Sequence, residues 1–163
     1  MRYTLLLLFA LAASSTWAQV DPTSELFITL QKVDSTLFEK GFNQCDSLSL
    51  KNSISRELRF YHDQSGIQDR KLFFENVENY ICSNPQQKPI RRLEQGSLVV
   101  FPLYNNGILY GAIQHGVHHF YIIEEGNEDR WTSTAKFTHV WILEHDTFKL
   151  REALSYDHQI PRP

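Results

Sequence analysis

No run of lysine or arginine in the 163 residues is longer than two, the pairs being Arg70-Lys71 and Arg91-Arg92. A nucleic-acid-binding surface needs a basic stripe, so the sequence offers nothing for that class of partner. Nor is any apolar run long enough to span a bilayer. Leu5–Ala13 reaches nine residues, against roughly 20 for a transmembrane helix. There are only two cysteines, Cys45 and Cys82, too far apart in sequence for a redox-active pair. No His-x-His pair occurs and no cysteine lies near the histidines, so a closed zinc site with three or four ligands has little sequence support; a mixed site of His62, one strand histidine and His158 is the weak alternative. No metal or cofactor is expected. Internal repeats and low-complexity segments are also absent.

What is there begins with a leader. Met1-Arg2 is a short basic start, Leu5–Ala13 the apolar stretch, and Ser14–Ala18 a polar segment ending in a small residue. That order is a secretory signal peptide, expected over residues 1–18. The mature chain 19–163 is then one domain by length, exported to the periplasm or secreted, with no stable membrane anchor. Losing Arg2 takes the net charge from −3 to −4. Export puts Cys45 and Cys82 in an oxidising compartment, where a disulfide is allowed; two buried thiols are the alternative. Aromatics make up 13% of the chain, eleven of them phenylalanine, enough for a ring-lined core or pocket.

Asp21–Glu25 is a helix start, and Leu26, Leu30, Val33 and Leu37 repeat at helical spacing, ending near Gly41. Cys45–Lys51 reads as a second, short helix. Leu58–His62 alternates as a strand, Gln64–Gly66 turns it, and Asp69 caps a helix carrying Leu72, Phe73, Val77 and Ile81. Ser83–Pro89 has loop composition. Strands follow at Ile90–Leu93, Leu98–Phe101, Ala112–Ile123, Ala135–Glu144 and Phe148–Tyr156. Helices first and strands after predict an α+β domain, with helices on a mainly antiparallel sheet. The long strands are apolar on both faces. A solvated face should be polar, so a homodimer through the outer face is expected.

That element order resembles the nuclear transport factor 2-like fold, a cone around a ligand pocket. Phe60–Gly66, Tyr110–Gln114, His118–Tyr121, Ala135–Trp141 and Ser155–His158 resemble exported bacterial proteins of the domain of unknown function 4440 type, related to SnoaL-like cyclases and ketosteroid isomerases. The resemblance covers roughly residues 26–158. It implies a catalytic general base at Asp63, since isomerase-like members carry an aspartate in a similar Asp-x-x-Gly context. It departs from the isomerases in the first helix region, where residues 21–42 hold no tyrosine to serve as an oxyanion donor. A fold of this kind hosts enzymes, binding proteins and scaffolds.

From the residues themselves, Asp63 is a base only if an apolar wall raises its pKa; otherwise it is a turn residue bonding nearby backbone. His62 is the other candidate base. His115 and His119 share a face of their strand, with His118 on the other. Those two lie roughly 13 Å apart, too far to share an ion. Phe60, Phe137, His139, Trp141, Leu154 and Tyr156 are expected to line an apolar site for a small molecule. The leading reading is an exported small-molecule-binding protein. The alternatives are an isomerase, lyase or cyclase using Asp63 or His62, and a dimeric scaffold with a vestigial pocket.

Overall fold

In a computed structural model the described residues are 19–161; the expected leader, 1–18, lies outside them. Ser24 accepts a bond from the Phe27 amide and starts helix α1, Glu25–Ser35, which continues as a π-helical segment, Thr36–Asn43. Asp46 caps α2, Ser47–Ser53, by accepting from the amides of Leu48 and Ser49. Strands β1, Ile54–His62, and β2, Gly66–Asp69, form a hairpin. Asp69 then caps α3, Arg70–Asn76, which also winds on as a π-helical segment, Val77–Ile81. The remaining strands are β3, Gln87–Leu93; β4, Val99–Asn105; β5, Ile108–Glu124; β6, Arg130–Glu144; and β7, Thr147–Gln159. β1 begins four residues earlier than its alternation predicts, and β3 takes in the last residues of the expected Ser83–Pro89 loop.

The sheet runs β2-β1-β7-β6-β5-β3, with β4 also on β5. Every pairing is antiparallel except β1 with β7. The result is α+β, three helices on an open, mixed, largely antiparallel sheet. β5 and β6 show the two-residue period cleanly. Ala112, Gln114, Gly116 and His118 on β5, and Ala135, Phe137, His139 and Trp141 on β6, are all buried on the helix-covered face. Gly116 is needed there: a Cβ would sit 2.7 Å from the Phe137 ring. Leu30, Leu37, Leu50 and Val100 complete this core.

β7 breaks the period twice. Trp141 pairs with Leu150 while Val140 pairs with Glu152, so Arg151 is an extra residue. A second irregularity lies between the pairs Lys136–Tyr156 and Thr134–Gln159, where Asp157 has φ +60°. Each bulge switches the side-chain alternation that follows it. The first sends Leu154 and Tyr156 to the outer face, where they are 36% and 38% exposed, and turns Ala153 and Ser155 inward. The second brings His158 onto the same inner face as Ser155, three residues away.

Cys45 and Cys82 are joined in a disulfide, Cα to Cα 5.8 Å. It ties together the ends of the two π-helical segments. Closing a loop of separation 37 contributes on the order of 4 kcal/mol in the chain-entropy model.

Candidate functional site

A cavity of about 560 Å³ lies between the inner face of the sheet and the helices. Its wall is aromatic and aliphatic: Phe38 and Phe42 from the segment after α1, Phe60 from β1, Phe73 and Ile81 from α3 and its extension, and Phe120 from β5. Phe60 and Phe73 meet edge to face with centroids 5.7 Å apart. Polar residues share the lining, Gln64, Ser65, Gln68, Asn76, Ser133 and His139 among them, and four others, His62, His118, Ser155 and His158, lie together. A wider groove of about 950 Å³ beside α3 and β1 is lined by six cations and five acids. Such nearly balanced, solvated charge does not select a ligand, so the apolar cavity is the candidate site.

The polar residues form one hydrogen-bonded chain. Buried Arg91 places Nη1 2.7 Å from Asp34 Oδ2 and Nη2 3.3 Å from Asp34 Oδ1. Its guanidinium lies over the rings of Phe38 and Phe137. Burial pushes the Asp34 carboxyl up against the pull of Arg91. Arg91 Nε also donates to His118 Nδ1 at 3.4 Å. His118 Nε2 lies 3.3 Å from Ser155 Oγ, and Ser155 Oγ lies 3.4 Å from His158 Nε2. His158 Nδ1 is 2.6 Å from Asp63 Oδ1, and its backbone amide donates to Asp63 Oδ2 at 3.1 Å.

Proton positions follow from the groups at the two ends. A guanidinium only donates, so His118 carries its proton on Nε2 and donates to Ser155. Burial, with the Arg91 charge adding to it, pushes His118 down to about 2, so it stays neutral. Partial burial acts to raise the Asp63 carboxyl, but the amide and ring of His158 outweigh it and hold the pKa below the usual value. A carboxylate only accepts, so His158 donates from Nδ1 and leaves Nε2 to accept the Ser155 hydroxyl proton. His62 is fixed as well. Its Nδ1 accepts from the amides of Gln64 at 3.1 Å and Ser65 at 3.3 Å, so its proton is on Nε2. Burial, and then the neighbouring His158, hold its pKa below the usual value. Its ring stacks on His158 at 4.4 Å.

Of the residues expected at the site, Phe60, His62 and His139 line the cavity. Asp63 stands behind His158 rather than in the lining. The sequence expectation misplaces four others. Trp141 is fully buried, with its indole N–H on Gln114 Oε1 at 2.8 Å, and Phe137 is core packed between His118 and His139. Leu154 and Tyr156 are on the opposite face because of the bulge at Arg151. The sequence brings His158 together with His62 and a strand histidine only as a mixed metal site, and it singles out neither Ser155 nor Arg91.

His62, Asp63 and His158 also bring ligand atoms within 4.8 Å of one another. Two backbone N–H groups already point at His62 Nδ1, which lies 3.5 Å from Asp63 Oδ1. A cation at that point would sit against two donor hydrogens, so the geometry favours a hydrogen-bonded cluster over a metal centre.

No protein-family model and no curated protein sequence matches the chain. Solved structures do. ActVI-ORFA from Streptomyces coelicolor superposes with a TM-score of 0.67 at 8% identity, over 83% of this chain and 98% of that one. The chain has the nuclear transport factor 2-like fold. An NTF2-like protein of unknown function in nutrient uptake from Rhodospirillum rubrum matches at TM-score 0.57 and 16% identity, over 82% of this chain and 98% of that one. Another of unknown function, from Shewanella oneidensis, matches at 0.56 and 12%, over 80% and 98%. At these identities the likeness is one of fold.

Proposed function

We propose that the protein is an exported binder of an apolar small molecule, held in the cavity between helices and sheet. The observation that supports this best is the cavity itself: about 560 Å³, apolar on most of its wall, with a few oriented polar atoms gathered together. Ligand sites are typically 300–1,000 Å³ and built this way. The reading of Asp63 or His62 as general base fits less well, because both oxygens of Asp63 and the basic nitrogen of His62 are already occupied. The test is native mass spectrometry of protein purified from its host, together with titration of an apolar fluorophore. A retained small molecule, or saturable dye binding lost in Ala153→Trp, is the expected result. Ala153 lines the cavity, and an indole there would fill it. Dye binding unaltered by that substitution would remove the cavity as the site.

Export and dimerisation belong to the same proposal. N-terminal sequencing of the exported product should begin at or near Gln19. The outer face offers Leu154 and Tyr156 beside Ile113, Val117 and Val140, all partly or largely exposed, which suits a second copy of the chain. Sedimentation at micromolar concentration should give twice the chain mass; monomer mass would refute it.

A further inference from the structure

We propose that Ser155, His158 and Asp63 form a nucleophile–base–carboxylate relay, and that the cavity receives the apolar part of a carboxylic ester whose acyl group passes through Ser155. The inference rests on the cavity being a small-molecule site. Ser155 and His158 have no role assigned by the sequence resemblance, and Asp63, which it makes a general base, becomes the carboxylate that orients His158. The order of contacts is that of an activated serine: hydroxyl to imidazole Nε2, imidazole Nδ1–H to carboxylate. Asp63 fixes the tautomer that leaves His158 Nε2 free to accept. His118 adds a second influence. Its Nε2–H points at Ser155 Oγ and favours negative charge there, while Arg91 on its other nitrogen prevents the ring from turning over to the other tautomer. The 3.3 and 3.4 Å contacts at Ser155 are of the length seen before a substrate tightens such a site.

The steps balance with water as the second reactant. Ser155 Oγ forms a bond to the ester carbonyl carbon as its proton moves to His158 Nε2. The tetrahedral oxygen carries the negative charge. The donor for it in this scheme is His62 Nε2–H, on the ring stacked against His158 and without a partner among the described residues. The carbon–alkoxide bond breaks and the alkoxide leaves as an alcohol with the proton from His158. Water then attacks the acyl-serine carbonyl, giving a proton to His158. The Ser155 bond to carbon breaks, the proton returns to Oγ, and a carboxylic acid is released. No oxidant, reductant or metal is required.

The experiment uses the mature, oxidised protein with p-nitrophenyl esters of increasing acyl length and an alkyl fluorophosphonate. Apolar-dye displacement by the same esters is followed in parallel. Expected are one phosphonyl group per chain on the peptide containing Ser155, none in Ser155→Ala, and labelling at least about a hundredfold slower in His158→Gln. If the esters displace the dye but Ser155 stays unmodified and p-nitrophenol release matches buffer, the relay is refuted and the binding site stands. If neither dye nor ester binds, both readings fall. Modification at another residue refutes the relay as well.

Discussion

Two histidine–aspartate clusters sit at opposite ends of one hydrogen-bonded chain, and they differ in what can reach them. The inner cluster, Asp34 with Arg91, His118 and His139, is closed to bulk solvent: each of the four is 3% exposed or less. The outer cluster, Asp63 with His158 and His62, opens to the cavity and the surface, and the Asp63 side chain is 32% exposed. The residue types are nearly the same. The inner set carries a permanent cation, and only His118 and His139 of its members reach the cavity lining, so its protons are fixed by structure. The outer set has two imidazoles and an adjoining hydroxyl in the cavity lining with a carboxylate behind them, so its protons can be exchanged with a ligand. Ser155 is the link between them.

The largest effect should come from breaking the inner cluster. Arg91→Met leaves Asp34 buried and uncompensated, and losing one partner of a buried pair costs about 3–5 kcal/mol. Urea unfolding should show that loss. The double change Arg91→Met with Asp34→Leu should recover much of it, since apolar replacement of a whole buried pair is often neutral or better. A loss under about 1 kcal/mol in the single variant would mean that the inner cluster is not the closed ion pair described. Asp63, by contrast, should be replaceable at little cost to the fold.

Acid should separate the two clusters next. Burial, with Arg91 adding to it, holds His118 at about 2 and His139 well below its ordinary value. Both unfold into a state with a pKa near 6.5, so the unfolded chain binds more protons below that value. Their contribution is fully present above pH 6.5 and declines as pH falls, by about 1.4 kcal/mol for each group per pH unit. His62 adds to this slope in the same direction, less strongly because it is less buried. The lowered Asp63 carboxyl acts later: its contribution is present above about pH 3.8 and is lost only as pH falls through its folded value. Denaturant midpoints should therefore change little between pH 7.5 and about 6.5 and fall steadily from there to pH 4.5. A flat profile across pH 6.5 to 5 would contradict neutral, buried His118 and His139.

Much of the architecture was legible from periodicity. The stripe at Leu26, Leu30, Val33 and Leu37, the cap at Asp69 and the alternation in β5 and β6 each follow from local spacing, and the order of elements then limits the topology. The site was legible where a turn announced it, at His62-Asp63, and where unbroken alternation placed Phe60 and His139 on the inner face. Bulges hid the rest. Phe148–Tyr156 reads as unbroken alternation, so Leu154 and Tyr156 fell on the face of Leu150. Nothing in composition marks Arg151 or Asp157 as an extra residue, yet those two decide that Ser155 and His158 face the cavity together. Arg91 was hidden differently. Beside Arg92 it looks like surface charge, and its burial depends on Asp34, a helix residue 57 positions away in sequence.

The smallest expected change in stability, and the most informative about the outer cluster, is Asp63→Asn. The carboxylate accepts from both the ring Nδ1–H and the backbone amide of His158. An asparagine has one oxygen and one amino group for these two donors. The backbone amide cannot change, so the oxygen must serve it and the amino group must face Nδ1. His158 then has to accept at Nδ1, which moves its proton to Nε2. With His118 also donating, Ser155 Oγ would face two N–H groups, and its own proton would lose its acceptor. Melting temperature should change little, because size and shape are kept and the residue is at the surface. Nitrogen chemical shifts of the His158 ring should exchange between Nδ1 and Nε2, and fluorophosphonate labelling of Ser155 should slow at least about a hundredfold. Removing the charge without moving the tautomer would leave the ring shifts in place and the labelling nearly unchanged. That outcome would make Asp63 a strand-end anchor holding the His158 backbone, and the two clusters would then differ in exposure but not in role.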